Sequence, residues 1–205
     1  KIKKTTTNTD LGTTEWTLSN GVKVVIKPTT FKQDEILLNA FSQGGLSLVA
    51  TEDLPSANLA TDVVSMMGLG DFSRTDLQKA LAGKTVSVDA SIGAYSESMS
   101  GSSSVKDLET MLQLVYLQFT APRYDEEAYQ TLISLLHNQL LNKDKNPKAV
   151  FADSVSVMGN NHSERTTLWN VQTLDKVSLD KALAVYKARF ANPADFTFVF
   201  VGNID

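Results

Sequence analysis

Val86-Ser-Val-Asp-Ala-Ser-Ile-Gly-Ala-Tyr-Ser-Glu-Ser-Met-Ser-Gly-Ser-Ser-Ser-Val105 decides the fold class of this chain. Val86, Val88 and Ala90 alternate with Ser87, Asp89 and Ser91, the period of a half-buried strand. After a turn near Gly93, Tyr95, Glu97 and Met99 alternate with Ser96, Ser98 and Ser100. The serine-rich run from Ser96 to Ser104 has the composition of a flexible linker. A period of two persists through it, which predicts a strand with one small, polar face. From Ser104 the period changes. Val105, Leu108, Leu112, Val115 and Phe119 are spaced 3, 4, 3 and 4 apart, one apolar helical stripe capped by Ser104 to Asp107.

The flanks repeat both periods. Trp16 to Leu18 and Val22 to Ile26 read as a hairpin on Asn20-Gly21, with Val22, Val24 and Ile26 on one face. Glu35 to Ser42 reads as a strand ending at Gly44-Gly45. Ser56 is the expected N-cap of a helix to about Met67, stopped by Gly68-Leu69-Gly70. Ser73 to Asp76 has the form of a capping box for a short helix ending near Gly83. Asp125 opens a long helix with Tyr129, Leu132, Ile133, Leu136 and Leu140 inward. Asn146-Pro147 starts another, with Phe151, Val155 and Met158 as its stripe. Ser178 caps a last helix carrying Leu179, Leu183, Tyr186 and Phe190. Phe196 to Val201 is apolar on both sides, the pattern of a central strand. The order strands, helices, strands, helices, strand predicts an α+β fold, with helices packed on one face of a largely antiparallel sheet. Residues 1–13 are polar and threonine-rich and read as linker, leaving 14–205 as a single domain.

Composition limits the chemistry. The chain has 205 residues, 42% hydrophobic and 20% charged, enough to bury a core without covalent staples. Lys+Arg 19 against Asp+Glu 23 gives a net charge of −4, so no basic field gathers nucleic acid or an acidic membrane. There is no cysteine, and the two histidines are His137 and His162. No stretch is long and apolar enough to span a bilayer. The chain opens on Lys1 without a signal peptide, as an excised piece of something longer does.

No single motif supplies a catalytic set. A zinc helix needs a second ligand one turn from the first, but Ile133 and Leu141 flank His137 at that spacing. His162 and Glu164 sit in a loop with nothing else converging. Gly101 to Lys106 offers backbone N–H groups at a helix start but lacks the phosphate-loop pattern, so a helix cap is the better reading. No G-x-S-x-G elbow occurs.

Read in order, several segments resemble the pitrilysin/insulinase family of zinc metallopeptidases. Trp16 to Pro28 resembles the family's opening hairpin, and Leu38 to Ser47 the following strand and glycine turn. Leu77 to Lys84 resembles the short helix beyond the metal helix, Ala121 to Glu127 the start of the next helix, and Phe196 to Asp205 the closing strand. The resemblance implies a fold like that of the mitochondrial processing peptidase and is strongest to bacterial members that join two similar halves in one chain. Catalytic members carry an inverted zinc motif, H-x-x-E-H, on the first helix, plus a distal glutamate ligand. The corresponding helix here is Ala60-Thr-Asp-Val-Val-Ser-Met-Met67, with Val64 at the glutamate position and no histidine. No glutamate lies between Glu127 and Glu164.

The resemblance therefore implies a non-catalytic, C-terminal-type half with no cofactor of its own. Zinc belongs to the catalytic half of the parent. The implied role is wall of a peptide-enclosing chamber, with the catalytic half and a peptide substrate as partners. Exported relatives imply the periplasm. Some members place an Arg and a Tyr from the second half beside the substrate; around Lys79 to Val86 neither occurs. Lys79, Lys84 and Arg123 are the candidate substrate contacts, against ordinary surface roles for all three. The alternatives are a scaffold subunit of the same fold without proteolysis, and a peptide binder working by strand addition at Gly45 to Val49.

Overall fold

A computed structural model describes residues 1–204. The strands are β1 (Ile2–Asn8), β2 (Thr13–Leu18), β3 (Lys23–Pro28), β4 (Ile36–Gln43), β5 (Val86–Ile92), β6 (Ser96–Ser103) and β7 (Thr197–Gly202). The helices are α1 (Leu54–Asn58), α2 (Ala60–Met67), α3 (Arg74–Ala80), α4 (Leu108–Thr120), α5 (Glu126–Leu140), α6 (Pro147–Gly159), α7 (Val171–Leu174) and α8 (Leu179–Arg189). Short 3-10 turns cover Gly45–Leu48, Thr51–Asp53 and Val105–Asp107.

The strands form one sheet in the order β1-β2-β3-β7-β4-β6-β5. The β3–β7 pair is parallel and the other five are antiparallel. The closing strand β7 is central, as its two-sided apolar pattern predicts. Along β4, Ile36, Leu38, Ala40 and Ser42 are buried while Leu37, Asn39, Phe41 and Gln43 are exposed. One face of the sheet thus carries the helix layer and the other is open. The shared core joins Ile36, Leu38, Ala40 and Met99 of the sheet to Val63, Val64 and Met67 of α2 and to Leu183, Tyr186 and Phe190 of α8. Phe190 and Phe196 stack at 5.6 Å, and Phe119 meets Phe196 edge-on at 5.1 Å.

Several expectations are corrected. Residues 1–13 are not linker: Ile2–Asn8 is the edge strand β1, paired with β2. All seven of its residues are exposed, so its composition reads as polar tail, while threonine's β-branched side chain still favours the pairing. The helix expected from Ser56 is broken into α1 and α2 at Leu59, and α1 starts earlier, at Leu54, with Pro55 in its first turn. Ser56 is fully buried and does not cap; its hydroxyl accepts the Ser178 N–H at 3.0 Å. Ser104 is not a side-chain cap either. It donates to the Asp107 carboxylate at 2.7 Å, and that carboxylate also accepts the Thr85 N–H. Ser73 and Asp125 do cap α3 and α5, accepting the N–H groups of Asp76 and Ala128. The α6 stripe faces outward, with Phe151 and Met158 71% and 72% exposed.

Candidate functional site

The first test falls on α2, where the resemblance would place a metal. Ala60, Val63, Val64 and Met67 are buried on one side of this helix, packed on α5 and α8. The outward positions are Thr61, Asp62 and Ser65. Partial burial raises the Asp62 carboxyl above its ordinary range. Among the described residues no three His, Cys, Asp or Glu side chains gather as a metal site would require. The residues present do not fit zinc, since Thr61 and Ser65 stand at the ligand positions and buried Val64 at the position of the base. His137 is half-buried on α5, and His162 is exposed in a left-handed backbone turn, far along the chain from any partner acid except Glu164.

The three substrate-contact candidates do not form one cluster. Lys79 and Arg123 both face Asp76. The Ser73 hydroxyl holds the Asp76 carboxyl below its usual range, with the charges of Lys79 and Arg123 adding to the effect. Lys79 lies 3.5 Å from that carboxylate and is 74% exposed. Arg123 is committed to structure. Its guanidinium donates to Asp125 and to the Asp71 carbonyl, both at 3.4 Å, and its backbone N–H donates to Gly68. It ties the turn after α2 to the start of α5. Lys84 points elsewhere, donating to the Thr110 hydroxyl of α4 at 2.8 Å. Only the two lysines are available to a visitor.

The open sheet face is the larger feature, and sequence spacing found only its β5–β6 part. Register places Asp89, Ser100, Asn39, Val199, Val25 and Glu15 in one row across six strands. A neighbouring row runs Ser91, Ser98, Phe41, Thr197, Lys23 and Thr17. A third begins with Ser87 and Ser102, whose hydroxyls lie 3.2 Å apart. This wall presents small hydroxyls and Asp89 toward β5, and Glu15 and Lys23 toward β2 and β3. It can hydrogen-bond a polypeptide along its length.

A buried carboxylate fixes one end of the wall. Glu97 of β6 is 3% exposed and accepts the Gly45 N–H at 2.6 Å. Gly45 has φ +58, and a Cβ there would come 2.3 Å from the Gly93 carbonyl. The next amides, Leu46 and Ser47, donate to Gly93 and Ala94. Gly45 to Val49 is therefore no free edge, which removes the strand-addition reading at that place. Glu97 looked like one more alternating position in the sequence; nothing there marks it as the turn's anchor.

Known proteins give the frame. No family model matches the chain. The zinc protease PQQL-like protein of Arabidopsis thaliana is 30% identical over 197 residues, 96% of this chain and 18% of that protein. The probable zinc protease PqqL of Escherichia coli is 27% identical over 192 residues, 93% of this chain and 20% of its own length. The chain is similar over nearly its whole length to proteins named zinc proteases, and it has the fold of M16 peptidase domains. The crystal structure of the periplasmic protease PqqL from Escherichia coli superimposes with a TM-score of 0.83 at 24% identity, over 100% of this chain and 22% of that one. A peptidase M16 inactive domain from Pseudomonas fluorescens has the same fold, with a TM-score of 0.71 at 13% identity over 95% of this chain and 47% of the other. The chain spans about a fifth of the length of the curated relatives it matches.

Proposed function

We propose that this chain is a non-catalytic M16 domain: part of the half of a two-half zinc peptidase that encloses a peptide without cutting it. One observation carries the reading. The helix that would bear H-x-x-E-H instead has Thr61 and Ser65 at the histidine positions and buries Val64 at the glutamate position, on a fold whose relatives are named zinc proteases. Two hydroxyls and a buried hydrocarbon offer zinc neither imidazole ligands nor a base. The metal and the water-activating base then belong to a catalytic half elsewhere in the parent polypeptide, which is this chain's partner. The open sheet face supplies chamber wall. Its rows of hydroxyls and charges suit an extended peptide, whose backbone groups need partners once water is displaced. Lys79 and Lys84 are the remaining candidates for acidic substrate groups, and Arg123 acts through the fold. The periplasmic relative in Escherichia coli supports export of the parent.

Equilibrium dialysis with zinc and a quenched-fluorescence peptide assay test this on the 205-residue chain beside the longer polypeptide. The longer polypeptide should hold stoichiometric zinc and cleave; the chain alone should do neither. Micromolar zinc affinity with cleavage by the chain alone would overturn the proposal.

A further inference from the structure

The open face of the sheet is chemically graded from one edge to the other. The row that runs from Ser91 to Thr17 gains Lys4 on β1, which pairs with Thr17. Lys4 and Lys23 then stand at one side of this row, Phe41 at its middle, and Ser98 and Ser91 at the other side. The row holds no acid. Both lysines are exposed, and neither takes part in an ion pair among the described residues. Glu15, one row away, answers at most one of the two charges. Lys27, beyond it on β3, is spent on the Leu11 carbonyl. Unpaired cations here favour a visitor that carries carboxylates.

The middle of the row is apolar. Phe41 is 44% exposed, and Leu37, on the same face of β4, 46%. Val201 of β7 is half-buried beside Leu37. The backbone groups of β4 and β7 are paired on both edges, so a visitor cannot add there as a strand and is held by side chains. Lys4 to Lys23, and Lys23 to Phe41, are each two strand spacings, about 10 Å. Extended chain advances about 3.3 Å per residue, so about three residues cover each interval.

We infer that this row selects acidic peptides with an embedded aromatic or large aliphatic residue. That residue covers Phe41 and Leu37, and carboxylates about three and six positions away meet Lys23 and Lys4. Lys4, Lys23 and Phe41 are the specificity-determining residues of the wall. Ser98 and Ser91 hydrogen-bond the peptide backbone on the other side of Phe41, whatever its sequence there. This deepens the chamber proposal and rests on it for the substrate.

Two end-labelled peptides of about 15 residues, long enough to cross all seven strands, test it. One carries a single Phe with glutamates three and six positions away on each side; its twin has glutamine at those places. Fluorescence anisotropy gives the Kd of each for the longer polypeptide and for the 205-residue chain. The acidic peptide should bind about five- to tenfold more tightly than its twin in both, and this ratio should shrink as salt rises. Lys4→Gln together with Lys23→Gln should bring the ratio near one, and Phe41→Ala should weaken both peptides. A parent ratio near one, or a ratio that the lysine variant leaves intact, overturns the inference. The chamber proposal stands or falls separately, on zinc content and cleavage. Selective binding by the 205-residue chain that the longer polypeptide lacks assigns the face to another part of that polypeptide and overturns the inference. A sedimentation coefficient of the 205-residue chain that rises with concentration, and no longer does so in Phe41→Lys, assigns a second copy and overturns it too.

Discussion

Replacing Glu97 probes how the Gly44-Gly45 turn is held at the end of the open face. The carboxylate is buried and accepts the Gly45 N–H at 2.6 Å, and Gly45 itself is buried. Glu97→Ala removes a charge-assisted hydrogen bond, worth about 1.5–3 kcal/mol, and strands a donor that water does not reach. The expected loss is about 3 kcal/mol. Glu97→Gln keeps an oxygen of the same reach without the charge, and should lose about 1 kcal/mol. In a chain of this size each kcal/mol moves Tm by about 2–4 °C, so the alanine variant should melt roughly 6–12 °C lower. Urea unfolding followed by far-UV circular dichroism measures both losses, and hydrogen exchange reads the Gly45 amide directly. The reasoning is refuted if Glu97→Ala unfolds within about 0.5 kcal/mol of the parent, or if alanine and glutamine cost the same.

Other outcomes follow from the same geometry. The Tyr186 hydroxyl donates to Gln118 inside the core, so Tyr186→Phe should cost about 1–2 kcal/mol in urea unfolding. Burial raises the Tyr186 phenol above its ordinary range. Its stabilising effect is complete below the unfolded value of about 10 and is lost as pH rises beyond it, so the chain should unfold in alkali before this phenol ionises, as absorbance near 295 nm will report. The Asp107 carboxyl is held low, first by the Ser104 hydroxyl and then by the Thr85 N–H. Its contribution is present above about pH 4 and fades as pH falls through the depressed value, so the Tm gap between parent and Asp107→Asn should close in acid. Lys79→Ala should leave unfolding within about 0.5 kcal/mol of the parent, because the side chain is exposed, whereas Arg123→Ala should lower Tm measurably.

The regular parts of the fold were legible because one physical signal sufficed. Period two carried β5 and β6 through a serine-rich stretch, and apolar residues on both sides made β7 central. What failed needed partners distant in sequence. β1 is polar throughout and becomes a strand only because β2 offers an edge. Ser56 looks like a cap, yet its hydroxyl is claimed by Ser178 after a gap of 122 residues. The α4 and α6 stripes are legible as apolar, but a sequence does not say what covers them: Leu108, Val115 and Phe119 of α4 pack against the core, whereas Phe151 and Met158 of α6 are exposed. Of the site, the missing ligands on α2 were visible residue by residue. The wall was visible only where its two strands are consecutive; Asn39, Val199 and Glu15 join it through register alone.

The most direct test of a non-catalytic, substrate-enclosing role separates zinc from cleavage in the longer polypeptide. This region is deleted, then zinc content and peptide cleavage are measured on the same preparation. Stoichiometric zinc retained while cleavage falls at least about a hundredfold is the predicted result, because positioning rather than metal is lost. Zinc lost together with this region, or cleavage unchanged without it, would contradict the role.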